Sequence, residues 1–219
     1  MKHTVIISSY NRHRMLREAL VSVFANKNAD IETFVCDDGS DPMVRESIND
    51  FDVQWIDFGD IRCSFIFRFP IGINMALERC TGDVIHYLPD DDLFMPDRFL
   101  TAERLLDTDK MVGYGKQLYI NNRDYMINIS HMRFPLNDIS PQNPHPVTGL
   151  LDHSQVFHKR ECIDEWIVNN EAPDAKFFHK LSKAYKFHPT DQYVCIKRIH
   201  EYNMLRDLKS KSGKRERDT

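Results

Sequence analysis

Residues 84–99 read VIHYLPDDDLFMPDRF. Val84, Ile85, Tyr87 and Leu88 form a short apolar run without alternation, the pattern of a strand buried on both faces. It ends in three consecutive carboxylates, Asp90, Asp91 and Asp92. Three adjacent anions repel one another, and a fold tolerates the crowding when a hard cation neutralises it. Carboxylates at a strand's end suit Mg²⁺ or Mn²⁺, which take oxygen ligands and commonly hold a substrate phosphate as well. A solvated acidic turn, with Asp92 or Asp97 capping the next helix, is the competing reading of the same residues.

Working back from this stretch, TVIIS (4–8) is a second buried-strand run. It is followed by SYNR and by Met15, Leu16, Ala19, Leu20, Val23 and Phe24 at helical spacing. IETFVC (31–36) reads as a strand, DDGSD (37–41) as a turn, and Pro42 as the start of a helix. VQWIDF (53–58) is a third strand candidate, Asn74 to Cys80 a short helix, TGD (81–83) a turn, and Pro96 to Leu106 a helix. Strands alternating with helices predict an α/β fold with a mostly parallel sheet flanked by helices on both faces. Past about residue 110 the pattern changes. MVGYGKQLYI (111–120) and DYMINI (124–129) read as a hairpin or edge pair, and 134–146, with prolines at 135, 141, 144 and 146, as a long surface loop. HSQVFHKR (153–160) is strand-like, Cys162 to Val168 and Ala175 to Tyr185 are helical, and DQYVCIKRI (191–199) is the last strand. From Arg206 the chain is rich in Lys and Arg, which predicts a flexible tail over 206–219 with at most a weak peripheral attraction to an anionic membrane.

Composition narrows the function classes. Over 219 residues, 42% hydrophobic and 28% charged content fit a soluble globular chain, and a net charge of −4 carries no nucleic-acid signature. The absence of a secretory pattern and of an apolar stretch long enough to cross a bilayer predicts a cytoplasmic protein without a transmembrane segment. The five cysteines are scattered without a CxxC pair, against a zinc ribbon or a disulfide framework. GYG (113–115) is not part of a phosphate-loop motif.

In an open parallel sheet, ligands bind beyond the carboxyl ends of the strands. Three polar clusters fall there: Ser8-Ser9-Tyr10-Asn11-Arg12, Asp37-Asp38-Gly39-Ser40 and Asp90-Asp91-Asp92. Together they offer what a nucleoside diphosphate needs. The ring of Tyr10 can pack on a base, Asp38 can accept from a base N–H, and the acidic cluster can hold a cation bridging the diphosphate. The acids at 37 and 38 would equally suit a turn closed by an Asx cap.

VIISSYNRHRMLREALVSVFAN, FVCDDGSD, INMALERCTGDVIHYLPDDDLFMPDRFL, LLDHSQVFHK, PDAKFFHKL and CIKRIHEYN stand in this order between residue 4 and about 204. In that set the chain resembles the family 2 glycosyltransferases of the GT-A fold, most closely their spore-coat polysaccharide branch. The resemblance implies one GT-A domain over 1–205, with a nucleotide-binding half (1–110) and a smaller, mixed acceptor-binding half (111–205). It implies a metal-dependent, inverting transfer from a UDP- or dTDP-sugar to a carbohydrate or glycoconjugate hydroxyl, with Mn²⁺ or Mg²⁺. Ser8, Tyr10 and Arg12 fall at nucleotide-contacting positions, and Asp38 at the position that reads the uracil or thymine edge. Asp90 matches the nucleotide side of the D-x-D-type signature and Asp91 its metal ligand, with Asp92 and His200 beside the metal and Arg198 assisting. Pro89 stands where many relatives have Asp. Arg62 and Arg68 are alternative partners of the diphosphate.

An inverting transfer needs one carboxylate to take the acceptor proton while the cation stabilises the leaving diphosphate. Asp174 matches the family's base position, with Glu171 as the alternative; Asp174 also reads as a helix N-cap. Asp152 and His153 fall on the acceptor side, where His153 reads equally as a partly buried structural histidine. Two other functions compete. A nucleotidyltransferase acting on a sugar phosphate would usually carry a Gly-rich basic loop after the first strand, and SSYNRHR has no glycine. A non-catalytic nucleotide- or carbohydrate-binding relative would be expected to lose the metal or base carboxylates, which this chain keeps.

Overall fold

The computed structural model describes residues 1–106, 109–121, 151–169 and 172–200. DYMINI, the proline-rich stretch, Glu171 and the basic tail lie outside them. The elements run β1 (Lys2–Ser9), α1 (His13–Phe24), β2 (Asp30–Asp37), α2 (Pro42–Glu46), β3 (Gln54–Asp57), α3 (Phe69–Leu77), β4 (Val84–Pro89), β5 (Leu93–Phe94), α4 (Arg98–Leu105), β6 (Val112–Asn121), β7 (Val156–Lys159), α5 (Pro173–Ala184) and β8 (Phe187–Ile199).

The strands form one sheet in the order β3-β2-β1-β4-β7-β6-β8-β5. The first four are parallel. β7 runs antiparallel to both β4 and β6, and β6 then pairs parallel with β8. The fold is therefore α/β with a parallel half joined to a mixed half, as the alternation of elements predicts. Its unbroken apolar runs lie in the centre because both faces are covered. Ile6, Phe34, Ile85 and Tyr87 point to one face, where Ile73 and Ala76 of α3 and Phe177, Phe178 and Leu181 of α5 cover them. Val5, Ile7, Val35, Val84 and Leu88 point to the other, against Leu16, Ala19, Leu20 and Val23 of α1 and Phe99 and Ala102 of α4. Each fully buried Leu, Val or Phe contributes about 1.5–3 kcal/mol relative to exposure, so a one-residue slip of β1 or β4 would forfeit both layers at once.

Two differences from the sequence reading have clear causes. Cys162 to Val168 is not a helix: a single 3₁₀ turn (Arg160–Cys162) is followed by irregular chain. The side chain of Asn74 accepts from the backbone N–H of Trp166 (2.8 Å) and donates to its carbonyl (2.9 Å), so a residue 92 positions away takes the groups a helix would use. The apolar spacing of Cys162 and Trp166 reflects burial of both on the α5 side of the sheet. Among the described residues β6 lies between β7 and β8, and DYMINI, its expected partner, lies outside them. The two-residue β5, which pairs antiparallel with β8, has no periodic signal at that length.

Candidate active site

The parallel register sets Ser9 of β1 beside Asp37 of β2, and Ser8 beside Pro89 of β4. The three polar turns that follow therefore leave one edge of the sheet together. They are fastened to each other. Asp38 donates its N–H to Ser9 O (3.0 Å) and Asp90 its N–H to Ser8 O (3.0 Å). The Asn11 N–H donates to Ser40 Oγ (2.8 Å), and Asn11 Oδ1 accepts from the Asp41 N–H (2.8 Å). Asn11 adopts φ +51°, a left-handed conformation that Asn tolerates better than most residues. Gly39, at φ +74°, lies against Gly59, where a Cβ would come within 2.4 Å of the Gly39 Cα, so the turns after β2 and β3 pack backbone to backbone.

The two acids after β2 have different roles. Asp37 is buried and closes the turn, accepting from the Ser40 N–H (2.8 Å) and hydroxyl. Asp38 is half-buried and forms an ion pair with Arg68 Nη1 at 2.6 Å. Burial pushes the Asp38 carboxyl up, against the pull of Arg68. Arg68 is further anchored through Nη2 on the carbonyl of Ile61 (2.6 Å). Tyr10 is 56% exposed, leaving its ring open. Arg62 lies exposed on the segment between β3 and α3.

At the end of β4, Asp90 is buried, accepting from the Tyr10 N–H (3.1 Å) and Arg12 Nη1 (2.7 Å). Asp91 lies 3.3 Å from the same Arg12 nitrogen and 3.1 Å from His200 Nε2. Asp92 turns inward: its oxygens accept from the Arg198 N–H (3.1 Å) and the Ser154 hydroxyl (3.3 Å). Arg198 spans the whole turn, donating to the carbonyls of Asp91 (2.5 Å) and Asp90 (3.3 Å) and pairing with Glu18 of α1. Burial and the neighbouring Asp91 raise the Asp90 and Asp92 carboxyls above the ordinary range. Burial works the same way on Asp91, but His200 and Arg12 outweigh it and hold that carboxyl low. Among the described residues, no three His, Cys, Asp or Glu side chains converge to hold an ion unaided. Asp91 and His200 could supply part of a ligand set to a cation that completes its shell with phosphate oxygens.

The residues expected on the acceptor side come from the mixed half. Asp152 opens the 3₁₀ turn His153–Gln155, where its N–H donates to Gln155 Oε1 (3.0 Å), and its carboxylate pairs with Lys197 of β8. His153 stacks on Phe69 of α3, with ring centroids 5.7 Å apart. Burial lowers the pKa of His153 even though Asp174, Asp152 and Asp91 all pull it up. That imidazole is therefore the point where carboxylates of α5, the 3₁₀ turn and the acidic tip meet electrostatically. Both its ring nitrogens are buried and meet no hydrogen-bond partner among the described residues, so it is not the satisfied structural histidine that the sequence alone allows.

Asp174 is not the N-cap of α5. Ala172 holds that place at φ +28°, with Pro173 in the first turn, and Asp174 follows within the turn, its Oδ1 accepting from the Ala175 N–H (2.8 Å). The turn is positioned from behind by Phe177, stacked on Trp166 at 4.5 Å.

One residue missed at the sequence level organises this side. Arg98 of α4 is fully buried, donating to His86 Nδ1 (3.1 Å) and to the carbonyls of Ser154 (2.8 Å) and Val156 (2.8 Å), between the rings of Phe94 and Phe157. It thereby fixes the segment that carries Asp152 and His153. The signal available was an Arg on the same helical face as Phe99 and Ala102, where a charged residue needs partners.

Residues 4–166 match the family model described as glycosyl transferase family 2. An uncharacterised glycosyltransferase of Nostoc sp. is 33% identical over 179 residues, covering 75% of this chain and 54% of that protein. Protein CgeD of Bacillus subtilis is 27% identical over 218 residues, covering 88% of this chain and 49% of that protein. The chain thus spans about half the length of these relatives. Among solved structures, S. aureus TarS 1–349 in complex with UDP-GlcNAc superposes with a TM-score of 0.70 at 15% identity, over 94% of this chain and 60% of that one. The mannosyltransferase PcManGT from Pyrobaculum calidifontis, in complex with GDP-Man and Mn²⁺, gives 0.67 at 18% identity, over 99% and 64%. At these identities the likeness is one of fold.

Proposed function

The chain belongs to glycosyltransferase family 2, and from that membership we propose that it transfers a sugar from a UDP- or dTDP-sugar to an acceptor hydroxyl, with inversion, in polysaccharide or glycoconjugate synthesis. The observation that carries this reading is the shared sheet edge, where Ser8–Arg12, Asp37–Ser40 and Asp90–Asp92 are tied together by hydrogen bonds. Tyr10 offers its open ring to the base, and Asp38, held by Arg68, faces the base edge. Arg12, at the acidic tip, is better placed for the diphosphate than the exposed Arg62. Asp91 and His200, with Asp90, would hold Mn²⁺ or Mg²⁺, and Asp92 anchors the turn from inside. When bound, that cation supplies charge stabilisation for the departing diphosphate.

Asp174 takes the proton of the acceptor hydroxyl. The hydroxyl oxygen then bonds to the anomeric carbon as the bond from that carbon to the diphosphate oxygen breaks, and the diphosphate leaves with the electron pair. Asp152 and His153 orient the acceptor. The donor-bound complexes of TarS and PcManGT support a nucleotide-sugar site on this fold. No helix among the described residues is long and apolar enough to cross a membrane.

Calorimetric titration with UDP, dTDP and GDP, each with and without Mn²⁺, tests the reading. Mn²⁺ should strengthen UDP or dTDP binding to the native chain, and Asp91→Asn should reduce that metal-dependent binding at least about tenfold. Nucleotide binding indifferent to Mn²⁺ would overturn metal dependence, and preference for GDP would overturn the donor class.

A further inference from the structure

Arg12 Nη1 lies 2.7 Å from Asp90 Oδ1 and 3.3 Å from Asp91 Oδ2. A single nitrogen thus stands in the notch that a divalent ion shared by these two carboxylates would enter. Arg12 is rooted at the start of α1, where its backbone carbonyl accepts from the Leu16 N–H (2.9 Å). Its side chain remains 25% exposed while Asp90 beneath it is only 1% exposed. A carboxylate so deeply buried stays ionised only with a counter-charge beside it. The guanidinium is partly exposed and sits at the end of a long side chain, so it can reach other anionic oxygens while its backbone stays in the helix.

We propose that Arg12 is the resident counter-ion of the nucleotide-free site and is exchanged for the metal when the donor arrives. The donor phosphates offer the guanidinium an alternative set of anionic oxygens, and Asp90 and Asp91, released from it, would be left with His200 to hold the ion. Metal and nucleotide then enter as one coupled event, with reciprocal effects on each other's affinity. This accounts for a site that lacks a complete protein ligand set of its own among the described residues. It rests on the reading of a metal-dependent donor site given above. Metal dependence of the donor site would be satisfied equally by an Arg12 that never leaves Asp90, so the two cases make different predictions.

The test is Mn²⁺ binding to the full chain without nucleotide, followed by the signal of free Mn²⁺ in electron paramagnetic resonance and by melting temperature. Native protein, Arg12→Gln and Arg12→Lys are compared, each with and without UDP. With the competing cation removed, Arg12→Gln should bind Mn²⁺ alone about tenfold or more tightly than the native chain. Its melting temperature should rise more on adding Mn²⁺, and UDP should add less to its metal affinity than in the native protein. Arg12→Lys, which keeps a charge but loses the guanidinium's reach, should fall between the two. Equal Mn²⁺ affinity in the native and Arg12→Gln proteins, with UDP enhancement intact in both, overturns the exchange and leaves the donor reading standing. Should Arg12→Gln not fold, an Arg12→Lys protein that binds Mn²⁺ no better than the native chain overturns it as well. Failure of all three proteins to bind Mn²⁺ in the presence of UDP overturns the donor reading and the exchange with it.

Discussion

At the carboxyl ends of β1, β2 and β4 the polar side chains hold one another. Asp90 has Tyr10 and Arg12, Asp38 has Arg68, and Asp92 has Ser154 and Arg198. Across the site, His153 is buried with neither ring nitrogen bonded among the described residues, and the first turn of α5 is set by aromatic packing behind it. The proposed donor edge is thus extensively cross-linked, with Ser9 Oγ and Arg68 Nε left buried and unbonded among the described residues, whereas on the proposed acceptor side both nitrogens of one imidazole are left so. A buried unpartnered imidazole costs roughly 1–3 kcal/mol, and on the proposed function an acceptor hydroxyl would recover that energy.

The sharpest way to break this contrast is Asp174→Asn. On the proposed mechanism it should lower turnover about 10²–10⁴-fold while UDP binding, measured by calorimetry, stays within a factor of about two. A matching loss of UDP affinity would mean that Asp174 belongs to the donor edge, and unchanged turnover would remove it from the base role.

Arg98→Met probes the scaffold beneath the acceptor side. It strips donors from two carbonyls and from His86, and should cost about 2–4 kcal/mol of stability in urea denaturation. Sugar transfer by the folded fraction should fall further than UDP binding does, since Arg12 and Asp90 are not among the groups that Arg98 touches. Equal losses would show that the two regions are not separable.

The smallest effect distinguishes the regions by acid. His158 is buried, takes a bond from the Tyr87 hydroxyl (2.9 Å) and has its pKa lowered from 6.5 to about 4 by desolvation. Its neutral form is favoured in the folded chain, so the stability it contributes is complete above pH 6.5 and is lost as the pH falls to about 4. His3 and His86 shift the same way. Asp90 and Asp92, raised by burial, act in the opposite sense and gain as the pH falls. The difference between native chain and His158→Gln should therefore shrink by roughly 2–3 kcal/mol between pH 7 and pH 4, followed by denaturant titration at each pH. A difference that stays constant would mean that folding leaves the His158 pKa unshifted.

Much of the donor edge was legible because its signals are local. TVIIS and VIHYL announce doubly covered strands, DDGS and DDD announce turns, and one placement rule brings them to a single edge. The structure joins Arg68 to Asp38 and Arg12 to the acidic tip, a pairing that separation along the chain does not reveal. The acceptor side was less legible because its causes are distant. The irregular path of Cys162 to Val168 depends on Asn74, and the placement of Asp152 and His153 depends on Arg98, Lys197 and Phe69. Spacing within a short window carries none of that. The first turn of α5 shows the same limit: Asp preceding an apolar-faced helix suggests a cap, but Pro173 starts the helix one residue earlier and moves Asp174 inside.

Arg198 lies near the end of β8, yet its guanidinium grips the carbonyls of Asp90 and Asp91, more than a hundred residues earlier. During synthesis on the ribosome, the acidic turn emerges long before the strand that clamps it. The proposed donor site can therefore be completed only after β8 has been synthesised, and a truncated translation product ending before β8 would carry the three acids without the brace that shapes them.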